Sequence, residues 1–77
     1  MTARQALTAY ANGYMLIPEL RKVLFSEFPS ENYIDLEYSF GWLSDGTITR
    51  KTFIHSIACN LYITEQGEYN ANGFAMP

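Results

Sequence analysis

The chain has one cysteine, Cys59, and one histidine, His55, and its five glycines and three prolines are scattered. A lone cysteine excludes an internal disulfide framework and fits a reducing compartment. His55 and Cys59 stand four residues apart and would adjoin on a helix. No second cysteine or histidine exists to complete a zinc site. The same pair as a nucleophile and its base would need an orienting group and an oxyanion donor, and nothing in the sequence points to either. No glycine-rich run precedes a lysine, so a phosphate cradle is missing. No apolar run approaches the ~20 residues needed to span a bilayer. The opening residues, Met1 to Gln5, lack the apolar stretch of a secretory signal, so the expectation is a cytoplasmic protein without membrane contact. Carboxylate pairs such as Glu31 with Asp35 would sit on an exposed helix, too well solvated for the raised pKa of a general acid. No catalytic residue, metal, cofactor or small-molecule substrate is expected, and the chain is read as a non-enzyme.

Positive charge is also scarce, with five lysines and arginines against eight acids and a net charge of −3. The charges are unevenly placed. Residues 1–22 hold Arg4, Arg21 and Lys22 against Glu19, whereas 23–49 hold Glu27, Glu31, Asp35, Glu37 and Asp45 with no base. Such a run is ordinarily a solvated face. Its functional alternative is an acidic, aromatic-rich surface for a basic partner.

What the chain has in quantity is apolar surface. With 77 residues there is room for one core, and 48% of them are apolar and 16% aromatic, more ring surface than so small a core needs. The pattern predicts four short helices. Thr2-Ala3-Arg4-Gln5 is a capping box, Ala3, Leu7, Tyr10 and Ala11 share a face, and Asn12-Gly13 supplies a left-handed stop. Pro18 suits the first turn of a second helix, with Leu20, Val23, Leu24 and Phe28 as its buried stripe and Pro29 as its end. Thr49 is an N-cap for the last helix, where Phe53, Ile54, Ile57, Ala58, Leu61 and Tyr62 recur as adjacent pairs. Residues 1–64 form the expected domain, with 65–77 as an irregular tail whose Tyr69 and Phe74 could cover exposed apolar surface.

The segment 33–43 has two readings. Ile34, Leu36, Tyr38, Phe40 and Trp42 alternate with other residues as in a strand, and Asp45-Gly46 would close a β-hairpin over about 33–49, giving an α+β fold. The preferred reading is a helix over 31–43, because the chain repeats itself at an offset of 33 residues. Leu7, Tyr10, Asn12-Gly13, Met15, Leu20, Leu24 and Phe28 align with Phe40, Leu43, Asp45-Gly46, Ile48, Phe53, Ile57 and Leu61. The expectation is therefore all-α, two helix–loop–helix pairs. A central glycine in each loop invites comparison with calcium-binding helix–loop–helix units, but the ligand positions carry residues such as Gly41 and Leu43, and the calcium site is absent.

As a helix, 31–43 is apolar on two sides: Tyr33, Leu36, Phe40 and Leu43 for the core, and Ile34, Tyr38 and Trp42 for something else. Ile34, Tyr38 and Trp42 are the candidate anchors for a protein partner, or for a second copy in a homodimer, with Asp35 and Glu37 as steering charges. The alternative is a DNA-binding helix-turn-helix regulator presenting Arg50, Lys51, His55 and Asn60 from the last helix. The acidic balance weighs against it, and an acidic DNA mimic ranks lower still. In size and style the chain is similar to small phage-encoded inhibitors of host machinery, including anti-restriction and anti-CRISPR proteins. That resemblance rests on no motif or defined segment; it implies a non-enzymatic inhibitor that blocks a partner sterically.

Overall fold

The computed structural model describes residues 1–66, which form four α-helices: α1 (Ala3–Ala11), α2 (Ile17–Glu27), α3 (Tyr33–Ser44) and α4 (Arg50–Gln66). A single 3₁₀ turn, Ser30–Asn32, leads into α3, and there is no strand among the described residues. The fold is all-α. Residues 67–77, most of the expected tail with Tyr69 and Phe74, lie outside the described residues, while Glu65 and Gln66 belong to α4.

Local chemistry sets the helix ends. At α1 the Thr2 amide donates to Gln5 Oε1 (2.9 Å) and the Gln5 amide donates to Thr2 Oγ1 (3.1 Å), closing the capping box. Pro18 lies in the first turn of α2, and Pro29 follows its C-cap, Phe28. At α4 the Thr52 amide donates to Thr49 Oγ1 (3.1 Å).

The helix over 33–44 overturns the hairpin alternative, and the cause of the ambiguity is geometric. Leu36 and Phe40 form one row at four-residue spacing, and Ile34, Tyr38 and Trp42 form another, displaced by two residues. Interleaved, the two rows read as every second residue, which is the signature of a strand.

The offset of 33 residues recurs in the backbone. Tyr14 N–H bonds to Ala9 O at 2.8 Å, and Thr47 N–H to Trp42 O at 2.8 Å; Gly13 N–H reaches Tyr10 O at 3.1 Å, and Gly46 N–H reaches Leu43 O at 3.3 Å. This is the 6→1 and 5→2 bond pair of a Schellman turn, made twice. Gly13 and Gly46 both take φ +84°, in the left-handed region that glycine enters freely. Burial follows the same offset: Ala6 and Ser39, Leu7 and Phe40, Leu20 and Phe53, Leu24 and Ile57, and Phe28 and Leu61 are all buried.

α1 packs against α2 and α4, and α3 packs against the same two helices. Leu20, Leu24, Leu36, Phe53 and Ile57 are the largest wholly buried side chains. Rings connect the helices. Tyr10 of α1 meets Phe53 of α4 edge-on at 6.0 Å, Phe53 meets Phe40 of α3 at 5.0 Å, and Phe40 meets Phe25 of α2 at 6.3 Å. The expected α4 stripe is narrower than its sequence pattern. Phe53, Ile57 and Leu61 are buried and Ile54 half-buried, but Ala58 and Tyr62 are exposed. Each four-residue step advances about 40° around a helix, so the row Ile54, Ala58, Tyr62 drifts off the core. Ala11 of α1 is likewise exposed.

Among the described residues a Cβ added at Gly13 or Gly46 would meet nothing within 4 Å, so the cost of alanine there is conformational. Gly13→Ala and Gly46→Ala should each destabilise the fold by about 1–2 kcal/mol, and by the same amount within error in chemical denaturation, because the two turns share one geometry.

Candidate functional site

α3 buries Leu36, Ser39 and Phe40, and Leu43 packs half-buried against the core. At ~100° per residue, the side of α3 opposite those residues carries Ile34, Tyr38 and Gly41, with Asp35 and Trp42 along one flank. The structure places Ile34, Tyr38 and Trp42 in solvent, at 68%, 58% and 45% exposure. The Tyr38 and Trp42 rings stack with centroids 5.5 Å apart and planes inclined by 29°. The three candidate anchors therefore form one continuous strip.

The two candidate steering charges part company. Asp35 is exposed beside Ile34 and Tyr38. Glu37 lies on the flank facing α2, where both its carboxylate oxygens accept from Arg21 Nη2 at 3.0 and 2.9 Å. The Arg21 guanidinium also lies 4.7 Å from the Phe25 ring centroid and 5.6 Å from that of Phe40. Tyr33, expected in the core, is partly exposed, yet its hydroxyl donates to Phe25 O at 2.8 Å and its ring sits 5.1 Å from that of Phe25. Glu37 is a tie between α2 and α3. As a solvated pair it contributes ~0–1 kcal/mol.

The alternative DNA-contacting residues do not share one face. The Arg50 guanidinium lies 4.5 Å from the Tyr10 ring centroid and donates to the Tyr10 carbonyl at the C-terminal end of α1. That places its charge on carbonyls a helix end leaves unpaired. Asn60 is half-buried, on the side of α4 away from Lys51 and His55. Lys51 and His55 are exposed, and His55 Nε2 lies 3.7 Å from Cys59 Sγ. Among the described residues, no three His, Cys, Asp or Glu side chains are grouped to hold a metal, and no helix is long and apolar enough to cross a membrane.

Tyr14 at 85% and Leu16 at 76% exposure were not singled out by the sequence pattern, and Tyr62, which that pattern put in the α4 stripe, is 60% exposed. For the first two the repeat held the signal. Thr47 and Thr49 occupy the corresponding places, so those positions face water.

No protein-family model, curated protein or solved structure matches the chain.

Beyond the strip, Asp45 at the C-cap of α3 accepts from the Thr47 hydroxyl at 2.5 Å and from the Thr47 amide at 2.9 Å. The hydroxyl bond first, then the amide bond, hold its carboxyl below the ordinary value of 3.8. A carboxylate whose folded pKa is lowered contributes stability above its unfolded pKa and loses it as pH falls through the folded value. The melting-temperature difference between the wild-type chain and Asp45→Asn should hold steady above about pH 5 and shrink below the ordinary carboxylate range.

Arg50→Ala should lower stability by about 1 kcal/mol in urea unfolding, through loss of the contact with Tyr10. A residue facing DNA would leave the unfolding midpoint unchanged.

Proposed function

We propose that the chain is a non-enzymatic protein-interaction module that engages its partner through the outward side of α3, with Ile34, Tyr38 and Trp42 as anchors. The observation that carries this is the solvent exposure of three large apolar side chains in one strip on a helix whose opposite side is already in the core. Contiguous apolar surface of this kind marks interaction sites, and aromatic residues near the middle of an interface dominate its energy.

The internal repeat supports the reading. Positions 33 residues earlier hold the same places in α1, and there Gln5 replaces Tyr38 and Ala9 replaces Trp42. A helix of this architecture forms without those rings, so the fold does not require them. The mode of action is occupation of a partner's surface, the steric blocking implied by the likeness to small phage-encoded inhibitors.

Trp42→Ala and Tyr38→Ala should leave far-UV circular dichroism like wild type and the chain folded, at a cost of about 1 kcal/mol from the lost stacking of the two rings. Each should weaken binding to the partner captured from the native host by about 30-fold, which is ~2 kcal/mol. Unfolding of either variant would make the rings core residues and end this reading. A salt-sensitive shift of duplex DNA by the wild-type chain, abolished by Lys51→Ala, would replace it with the DNA-binding one.

A further inference from the structure

We infer that the occupant of the α3 strip is a cationic segment of another protein, one that presents apolar side chains flanked by arginine or lysine. This rests on the docking role proposed for the same face and specifies its partner.

Charge is the first argument. Asp35 runs beside Ile34 and Tyr38, Glu31 precedes them in the 3₁₀ turn that leads into α3, and Asp45 stands at the far end just past Trp42. All three are exposed. No lysine or arginine occurs between residues 23 and 49 to offset them. Arg21, across on α2, is already bound to Glu37, and Arg50 is turned onto Tyr10. The strip is therefore a pair of stacked rings with carboxylates along one flank and at both ends. Such a border attracts a basic segment electrostatically, and the π faces of tryptophan and tyrosine add cation–π attraction for arginine or lysine.

Gly41 is the second argument. A glycine inside a helix costs ~1 kcal/mol relative to alanine. Helices retain one where something must approach closely. Here a Cβ on Gly41 would meet nothing within 4 Å, so among the described residues no neighbour demands it. Thr8 fills the corresponding position of α1, so the architecture does not demand it either. Gly41 lies three residues past Tyr38 on the outward side and leaves a bare stretch of backbone beside Ile34 and Tyr38, where an incoming side chain can settle.

The same charges disfavour a second copy as the occupant. A two-fold dimer buries one patch against itself, which here sets Glu31, Asp35 and Asp45 of one chain against those of the other. Like charges across an interface oppose association.

Trp42 is the chain's only tryptophan, so its emission reports on this face alone. The probes are a synthetic amphipathic peptide of leucine and arginine, and its counterpart with glutamate in place of arginine. The arginine peptide should shift Trp42 emission to the blue, with affinity falling about tenfold between low and ~0.3 M salt. The glutamate peptide should leave emission unchanged. Asp35→Asn with Glu31→Gln should weaken binding about fivefold and leave the chain folded, with only the small drop in melting temperature that losing two first-turn acids brings. Glu19→Gln on α2 should leave the affinity as it was.

Equal binding of both peptides would overturn the cationic occupant and leave docking on this face standing. Equal weakening by Glu19→Gln would overturn it too, reducing the effect to net charge. A concentration-dependent dimer in sedimentation, with Trp42 already shielded, would make the occupant a second copy. If neither peptide moves Trp42 emission, both the cationic occupant and the docking role fall.

Discussion

The packing of Phe53 is the constraint on which the rest of the molecule depends. It sits near the start of α4, is wholly buried, and meets the ring of Tyr10 on α1 and the ring of Phe40 on α3. Through Phe40 the contact passes to Phe25 on α2, so one line of rings touches every helix. A chain of this size cannot assemble a large aliphatic interior. Rings bury more area per residue than aliphatic side chains, and their edge-on and tilted contacts fix relative orientation as well as distance. The placement of α3, and hence the direction in which its outer strip points, follows from where Phe40 meets Phe53.

The arginines show how sparingly positive charge is used. Arg21 spans α2 and α3 by lying near Phe25 and Phe40 while gripping Glu37, and Arg50 covers the end of α1 while stacking on Tyr10. Both work as struts between helices, their charge engaged by groups of the same chain. The acids of Glu31, Asp35 and Asp45 are left to set the potential around α3. A basic residue in sequence thus says little about surface potential until its partner is known, which is why Arg50 read as a nucleic-acid contact and Glu37 as a free charge.

Most of the architecture was legible in local chemistry. Thr2 and Gln5 announced the start of α1, and Asn12-Gly13 and Asp45-Gly46 announced two turns that share backbone geometry. The repeat decided the one segment where local pattern misled: two rows of apolar residues, offset by two, imitate a strand, and only comparison with α1 shows that 33–44 occupies a helical place. The strip itself was legible because Ile34, Tyr38 and Trp42 cannot share a side with Leu36 and Phe40. The fates of Tyr62 and Asn60 were not legible. Asn60 lies at the border of the buried side of α4, where coverage depends on the neighbouring helices, and Tyr62 ends a row that drifts round to the side of Lys51 and His55, which its pairing with Leu61 in sequence concealed.

The two turns with matching glycines carry a consequence for the chain as a whole. Each closes a helix, a tight corner and a second helix, and the segment joining the two units is short, running from Phe28 through Pro29 and one 3₁₀ turn. Neither unit can hide its apolar residues by itself: Leu20 and Leu24 of one and Phe53 and Ile57 of the other belong to a single core. A chain severed at that joint would yield two fragments that are each other's missing half, suited to reassembly in trans.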